Sequence, residues 1–126
     1  MSVKFNHTII HAKDQAASAQ FLSELLGLPE PTRFGHFHAV KLSDGATLDY
    51  MTTKDAIAGQ HYAFLVSEEV FDSLIAKIRD RKIPHWADPF GQHANQINTH
   101  DGGRGVYFQD PNGHYMEAIT VPYGGW

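Results

Sequence analysis

The sequence predicts an α+β fold in which two tandem βαβββ modules form a cupped mixed sheet. A short apolar segment containing one histidine opens each half of the chain, at residues 3–10 and 61–66. An amphipathic helix pattern follows each segment, and further strand-like segments follow each helix. The last strand of each half carries one acid, Asp49 in the first half and Glu117 in the second. These matching features, in matching order, indicate an internal repeat.

The composition is that of one ordinary globular domain. The chain has 126 residues, 42% of them hydrophobic and 19% charged, and it contains no cysteine. Disulfides, thiolate metal ligands and cysteine nucleophiles are therefore excluded. With a net charge of -4, the chain is not expected to bind nucleic acid, so a small molecule is the expected partner. No signal pattern or membrane-spanning stretch is present, and we expect a cytoplasmic protein without membrane contact.

We expect a single domain over residues 1–126, with module 1 at about residues 3–53 and module 2 at about residues 61–121. In module 1 the strands are predicted at about residues 3–11, 34–42 and 46–52, with a hairpin turn at Ser43-Asp44-Gly45. Asp14 is a helix-capping residue, and the helix should run to about Leu26. Gly27 then ends it, because glycine accepts the left-handed conformation found after helices.

Module 2 repeats this order. Its strands are predicted at about residues 61–67, 104–109 and 114–121, and Asp110-Pro111-Asn112-Gly113 is a tight-turn sequence. Ser67 or Glu68 should begin the second helix, which runs to about Lys82. The polar stretch from Pro89 to His100 is the longest segment without a predicted element. Long loops often cover binding sites, so it is a candidate lid.

Four polar residues form a candidate metal site. Alternation along the strands places His7, His61, Asp49 and Glu117 on the faces away from the helices. Glu117 lies in an apolar strand, where a carboxylate is costly to bury unless it is paired or bound to metal. Imidazole and carboxylate ligands suit one divalent ion, Zn²⁺, Fe²⁺, Mn²⁺, Ni²⁺ or Co²⁺. Three ligands would permit Fe²⁺ and oxygen chemistry, whereas four would suit a Lewis acid with Asp49 or Glu117 as the base.

Four further residues are candidates for substrate contact: Tyr107, Trp86, His100 and Arg104. Each also has a purely structural interpretation. Tyr107 could pack in the core and Trp86 could anchor a loop. His100 could be a solvated loop residue and Arg104 a surface charge.

Four segments resemble the vicinal oxygen chelate superfamily. They are Asn6-His7-Thr8, Phe21-Leu22-Ser23-Glu24-Leu25-Leu26-Gly27-Leu28, His61-Tyr62-Ala63-Phe64, and the stretch from Gly105 to Glu117, which is similar to the signature F-x-D-P-[DN]-G-[HN]-x-x-E. This superfamily includes glyoxalase I, extradiol dioxygenases, fosfomycin-resistance enzymes and bleomycin-binding proteins. The resemblance covers nearly the whole chain and implies paired βαβββ modules around a metal.

The resemblance also implies roles for individual residues. His7, His61 and Glu117 correspond to the superfamily's metal triad, and Asp49 to the fourth, acidic ligand of glyoxalase I. Homodimers are common among these proteins, so the ligands would come from one chain or from two. The expected chemistry is a glyoxalase-type lyase or isomerase reaction first and ring-cleaving dioxygenation second. The alternatives are a non-catalytic dimer that binds a drug or metabolite, as bleomycin-resistance proteins do, and a fosfomycin-resistance-like transferase.

Overall fold

The structure, a computed structural model, describes residues 2–125 and confirms the predicted α+β class of two βαβββ modules. The chain divides into two compact units between Ile57 and Ala58, here called module 1 and module 2. The elements of module 1 are β1 (His7–Ala12), α1 (Gln15–Leu26), β2 (Thr32–Phe34), β3 (Phe37–Lys41) and β4 (Thr47–Thr52). Those of module 2 are β5 (His61–Leu65), α2 (Glu68–Asp80), β6 (His85–Trp86), β7 (Gly105–Gln109) and β8 (Tyr115–Ile119), with short 3₁₀ turns at His100–Gly102 and Tyr123–Gly125.

Each module contains one four-stranded mixed sheet with the same topology. The strand order is β1-β4-β3-β2 in module 1 and β5-β8-β7-β6 in module 2. The first strand of each module pairs in parallel with the last one, and the other neighbours are antiparallel. The parallel pairing brings the histidine-bearing strand of each module next to its acid-bearing strand.

Helix α1 begins and ends as the sequence predicts. The Asp14 carboxylate accepts a hydrogen bond from the Ala17 amide at 3.1 Å, and Gly27 adopts the left-handed conformation at φ 65°. One face of the helix is buried through Leu22 and Leu25, which belong to the core of module 1 together with Ile10. Burial of each such side chain stabilises the fold by roughly 1.5–3 kcal/mol.

Helix α2 has the same design. The Ser67 hydroxyl accepts a hydrogen bond from the Val70 amide at 3.2 Å. The core of module 2 is formed by one stripe of this helix and the inner face of the sheet: Phe64, Phe71, Leu74, Ile78, Val106, Phe108, Met116 and Ala118. Among residues 2–125, neither helix is long and apolar enough to cross a membrane.

Three predicted boundaries are wrong. Strand β1 begins at His7, so residues 3–6 precede the sheet. The strand predicted at residues 34–42 is two strands, β2 and β3, because Gly35 at φ 58° turns the chain back on itself. The stretch from Pro89 to His100 is also partly ordered, since Ala94 forms a β-bridge with Trp86 on the outer edge of β6.

The turn between β7 and β8 depends on a buried carboxylate. Asp110 is buried and accepts three hydrogen bonds at 2.9 Å, from the Asn112 amide, the Asn112 side-chain amide and the His114 amide. This bonding compensates the cost of burying the carboxylate and closes the turn that aligns β8 with β7.

We predict that Asp110→Ala lowers the free energy of unfolding by about 3 kcal/mol, because buried amide donors lose a charged acceptor. Urea unfolding followed by circular dichroism measures this loss. Asp44→Ala is the matched control, since Asp44 accepts a single bond from Ala46 in the module 1 hairpin, and it should cost no more than about 1 kcal/mol. Equal losses for the two variants would contradict this assignment.

Candidate metal centre

Module 1 places His7 and Asp49 on the same face of its sheet. His7 lies opposite Thr47 in the parallel pair, and Asp49 lies two residues further along β4. The ring of His7 is exposed, whereas Asp49 is only 7% exposed. Within residues 2–125 the Asp49 carboxylate forms no hydrogen bond or ion pair. A largely buried carboxylate with no protein partner that borders a cavity is a candidate ligand for a cation.

Module 2 repeats this arrangement with a glutamate. His61 lies opposite Tyr115, and Glu117 lies two residues further along β8. The longer side chain reaches the histidine, and His61 Nε2 is 3.1 Å from Glu117 Oε1. Each module therefore presents one imidazole and one carboxylate at corresponding positions.

Both imidazole rings use Nδ1 to bind a neighbouring oxygen. His7 Nδ1 donates to Asn6 Oδ1 at 2.6 Å, and His61 Nδ1 donates to the Tyr115 carbonyl at 3.2 Å. Such bonds fix the ring and leave Nε2 as the ligand atom. In module 2 the Nε2 atom of His61 faces the Glu117 carboxylate, and a metal ion bound between them would replace this contact.

The donor set suits a divalent cation. In the part of the chain that the structure describes, no three histidine, aspartate or glutamate side chains form a group that could hold a metal ion. Each module thus supplies two donors. In each module these are one imidazole nitrogen donor and one carboxylate, the ligand types that Zn²⁺, Ni²⁺, Mn²⁺, Co²⁺ and Fe²⁺ accept.

Tyr107 contacts both donors of module 2. It lies directly opposite Glu117 in the antiparallel pair, and its ring stacks on His61 with centroids 6.1 Å apart and planes 23° apart. Burial raises the pKa of the Tyr107 phenol to about 12, reinforced by the nearby Glu117 carboxylate, with smaller contributions from Tyr123 and Asp88. The phenol therefore remains protonated at neutral pH and acts as a hydrogen-bond donor.

Three of the four predicted substrate contacts lie beside Glu117. Tyr107, His100 and Arg104 line a small cavity of about 80 Å³ together with this glutamate. Trp86 lines a different cavity, at the end of α2. The structure therefore groups Tyr107, His100 and Arg104 around one cavity with the acid of module 2, and Trp86 lies directly opposite Tyr107 in the β6–β7 pair.

The guanidinium of Arg104 is already paired. It lies 3.0 Å from a Glu68 oxygen and 2.8 Å from an Asp72 oxygen, and it stacks 4.5 Å above the centre of the Phe71 ring. Hydrogen bonds to Glu68 and Asp72 raise the pKa of Arg104 above its usual value. Its charge is thus balanced by two carboxylates, which weakens the case for binding an anionic substrate.

A cavity in module 1 was not predicted from the sequence. It has a volume of about 460 Å³, and its lining includes His7 and Asp49 together with the aromatic rings of Phe34 and Phe37 and the side chain of Lys41. Phe34 is 70% exposed, so its ring is open to a ligand in this cavity. The sequence feature that could have revealed this cavity is Gly35. A turn at this glycine places Phe34 and Phe37 at the end of a hairpin.

The candidate lid is held in place by Asp88. Its carboxylate accepts hydrogen bonds from the amides of Phe90, Gln92 and His93 at 2.7–3.2 Å. Desolvation raises the pKa of Asp88, but the three amide bonds and the nearby His93 outweigh it, so the pKa is lowered overall. Phe90 remains 82% exposed at the tip. These hydrogen bonds give the loop a defined conformation, with the apolar side chain of Phe90 exposed at its tip.

Comparison with known proteins identifies the family. Residues 4–118 match the family model of the Glyoxalase/Bleomycin resistance protein/Dioxygenase superfamily. The chain belongs to this superfamily. His7, Asp49, His61 and Glu117, the ligands predicted from the sequence, occupy corresponding positions in the two sheets.

Individual members of the superfamily differ in their similarity to this chain. Oxidase ChaP-H1 is 49% identical, with a TM-score of 0.96 over 98% of this chain and 100% of its own. Oxidase ChaP-H2 is also 49% identical, with a TM-score of 0.96 over 99% of this chain and 98% of its own. Glutathione transferase FosA of Serratia marcescens is 28% identical over 123 residues, which cover 93% of this chain and 80% of that protein.

We predict that Asp88→Ala loosens the loop after β6. Hydrogen–deuterium exchange of the amides of residues 90–93 at neutral pH should become faster, because three amides lose their acceptor. Asp55→Ala, in the exposed segment between the modules, is the control and should leave this exchange unchanged.

The same carboxylate gives the loop a defined pH response. Because the pKa of Asp88 is lower in the folded protein, its bonds stabilise the loop above the unfolded-state pKa of about 4. This stabilisation is lost as the pH falls through the lower folded pKa. Amide chemical shifts of residues 90–93 should follow that titration in the wild type. Shifts that also titrate in Asp88→Ala would show that another group controls the loop.

Proposed function

We propose that this protein is a metal-dependent oxidase that acts on a small aromatic molecule with vicinal oxygen atoms. The observation that carries the proposal is the repeated pair of one imidazole and one carboxylate in two modules of equal topology. The choice of oxidation rests on the 49% identity over the whole chain to two proteins named oxidases. We expect a cytoplasmic homodimer.

In this proposal one divalent metal per site is held by His7, His61 and Glu117, with Asp49 as a fourth ligand or as the base. The four residues come from one chain or, if the dimer exchanges modules, from two. Two imidazoles and one carboxylate leave open positions on Fe²⁺, which supplies the capacity to bring dioxygen and the substrate oxygens together.

The residues of the chain have separate tasks. His7 and His61 offer Nε2 because their Nδ1 atoms are engaged. Asp49 is the better candidate for the base, because its carboxylate is buried and has no protein partner among the described residues, so it can take a proton from a substrate hydroxyl. In the oxidation of a catechol to a quinone, the substrate loses two electrons and two protons. Dioxygen accepts both and becomes hydrogen peroxide.

An aromatic substrate is supported by the cavity of module 1. Phe34 and Phe37 offer apolar ring surfaces beside His7 and Asp49, and Lys41 adds a cation at the same cavity. A flat ring with hydroxyl groups could stack on the phenylalanines and direct its oxygens towards the imidazole. On the module 2 side, His100 and Tyr107 are the proposed contacts. Arg104 keeps a structural role because it is ion-paired. Trp86 is a weaker candidate for substrate contact, because it lies opposite Tyr107 in the sheet but lines another cavity.

Glyoxalase-type lyase or isomerase chemistry is the second candidate. It is favoured by Asp49, which adds a carboxylate at the position of a fourth ligand and would suit a Lewis-acid metal. A non-catalytic binding protein remains the third candidate, supported by the exposed aromatic lining alone. In this case the four donor residues would have no role. Such a protein would still bind its ligand after a chelator had removed all metal.

Oxygen uptake tests the reaction. Protein reconstituted with Fe²⁺ should consume dioxygen in the presence of catechol or 1,2-dihydroxynaphthalene. His61→Ala should lower the rate by more than about a hundredfold, since even outer contacts to metal ligands are worth 10–100-fold. Turnover of the methylglyoxal–glutathione adduct without oxygen uptake would favour the lyase instead. Full activity of metal-free His61→Ala would refute both metal-dependent reactions.

Elemental analysis tests the metal site without relying on activity. Protein purified without chelators or an affinity tag should contain about one metal ion per site, and the His7→Ala/Glu117→Ala double variant should contain none. The reason is that the double variant removes one ligand from each module, leaving too few donors to hold the ion. A variant with equal metal content would contradict the proposed ligands.

A further inference from the structure

Tyr107 lies beside both proposed metal ligands of module 2. Its phenol lies close enough to the Glu117 carboxylate for that group to raise the phenol pKa, and its ring stacks on the His61 imidazole. The β7–β8 register produces both contacts, because Tyr107 lies directly opposite Glu117 and thus shares its face of the sheet. His61 and Glu117 also contact each other at 3.1 Å. The three side chains form a closed set of contacts, called here the module 2 triad.

Module 1 has no equivalent of this tyrosine. The residue opposite Asp49, at the position that corresponds to Tyr107, is Ala39. Its methyl group offers neither a hydrogen-bond donor nor a ring face. The two modules thus share the placement of the imidazole and the carboxylate but differ in what holds them, so the tyrosine is not required by the fold itself.

The contacts restrict the motions that matter for a ligand. A carboxylate beside a phenol that can donate to it has less freedom to rotate. An imidazole stacked on a ring has less freedom to tilt. Outer contacts of this kind orient metal ligands, and their loss typically lowers metal affinity 10–100-fold.

We propose that Tyr107 is a positioning residue that holds Glu117 and His61 in one arrangement for metal binding. The inference rests on the proposed function, because it needs the metal site to exist. It assigns the two contacts of Tyr107 to different groups: the hydroxyl orients Glu117 and the ring orients His61.

Three variants separate these contributions. Tyr107→Phe removes the hydroxyl and keeps the ring, whereas Tyr107→Leu removes both. Tyr62→Phe is the matched control, because Tyr62 belongs to the same module but lies on the opposite face of the sheet, edge-on to His114 with ring centroids 6.0 Å apart. All three full-length proteins are compared with the wild type by Co²⁺ affinity, in competition with a chelator, and by the visible absorption spectrum of the bound Co²⁺.

Tyr107→Phe should weaken Co²⁺ binding by about tenfold and alter the spectrum, since the Glu117 ligand is no longer held. Tyr107→Leu should weaken it further, and Tyr62→Phe should bind like the wild type. Wild-type affinity and spectrum in Tyr107→Phe would overturn this inference alone. A wild-type protein that binds no Co²⁺ would overturn the proposed function, and this inference with it.

Nuclear magnetic resonance of the metal-free proteins gives an independent readout. The ring resonances of His61 should shift in Tyr107→Leu, which removes the stacked ring, and shift much less in Tyr107→Phe, which keeps it. Unchanged His61 resonances in Tyr107→Leu would overturn the proposed role of the ring, even if the variant lost metal affinity through general destabilisation.

Discussion

The parallel pairing of the first and last strands in each module is the constraint on which the rest of the structure depends. It fixes the histidine of the first strand and the acid of the last strand on one face, with the acid two residues beyond the histidine's partner. A shift of one residue would turn one of the two side chains towards the helix. The candidate metal centre therefore follows from register as much as from residue type, and the same register occurs twice.

The two modules use this shared register in different ways. In module 2 the glutamate reaches its histidine, and Tyr107 contacts both. In module 1 the shorter Asp49 is buried without a partner among the described residues, beside a cavity with aromatic walls. A duplicated scaffold with unequal halves can assign a fixed ligand to one half and a more mobile carboxylate to the other. This division gives each acid a separate role in the proposed oxidase.

Much of the fold could be predicted because its signals are local. The caps at Asp14 and Ser67 act within one helical turn, and alternation along β5 and β8 assigns His61 and Glu117 to one face. The division of β2 from β3 was missed because Phe34 and Phe37 continue an apolar pattern across Gly35. The order after β6 was missed because it comes from bonds that Asp88 makes with amides several residues away. The stacking of Tyr107 on His61 depends on the pairing of three strands, which spacing along the chain does not reveal.

The most direct test of the central claim is X-ray absorption spectroscopy at the metal edge of the Co²⁺-loaded protein, because it counts the imidazole ligands. The account predicts two imidazoles in the wild type and one in each of the His7→Ala and His61→Ala variants, measured under conditions that keep the metal bound. An imidazole count that stays unchanged in either variant would show that the two modules do not each contribute one histidine, and would contradict the account.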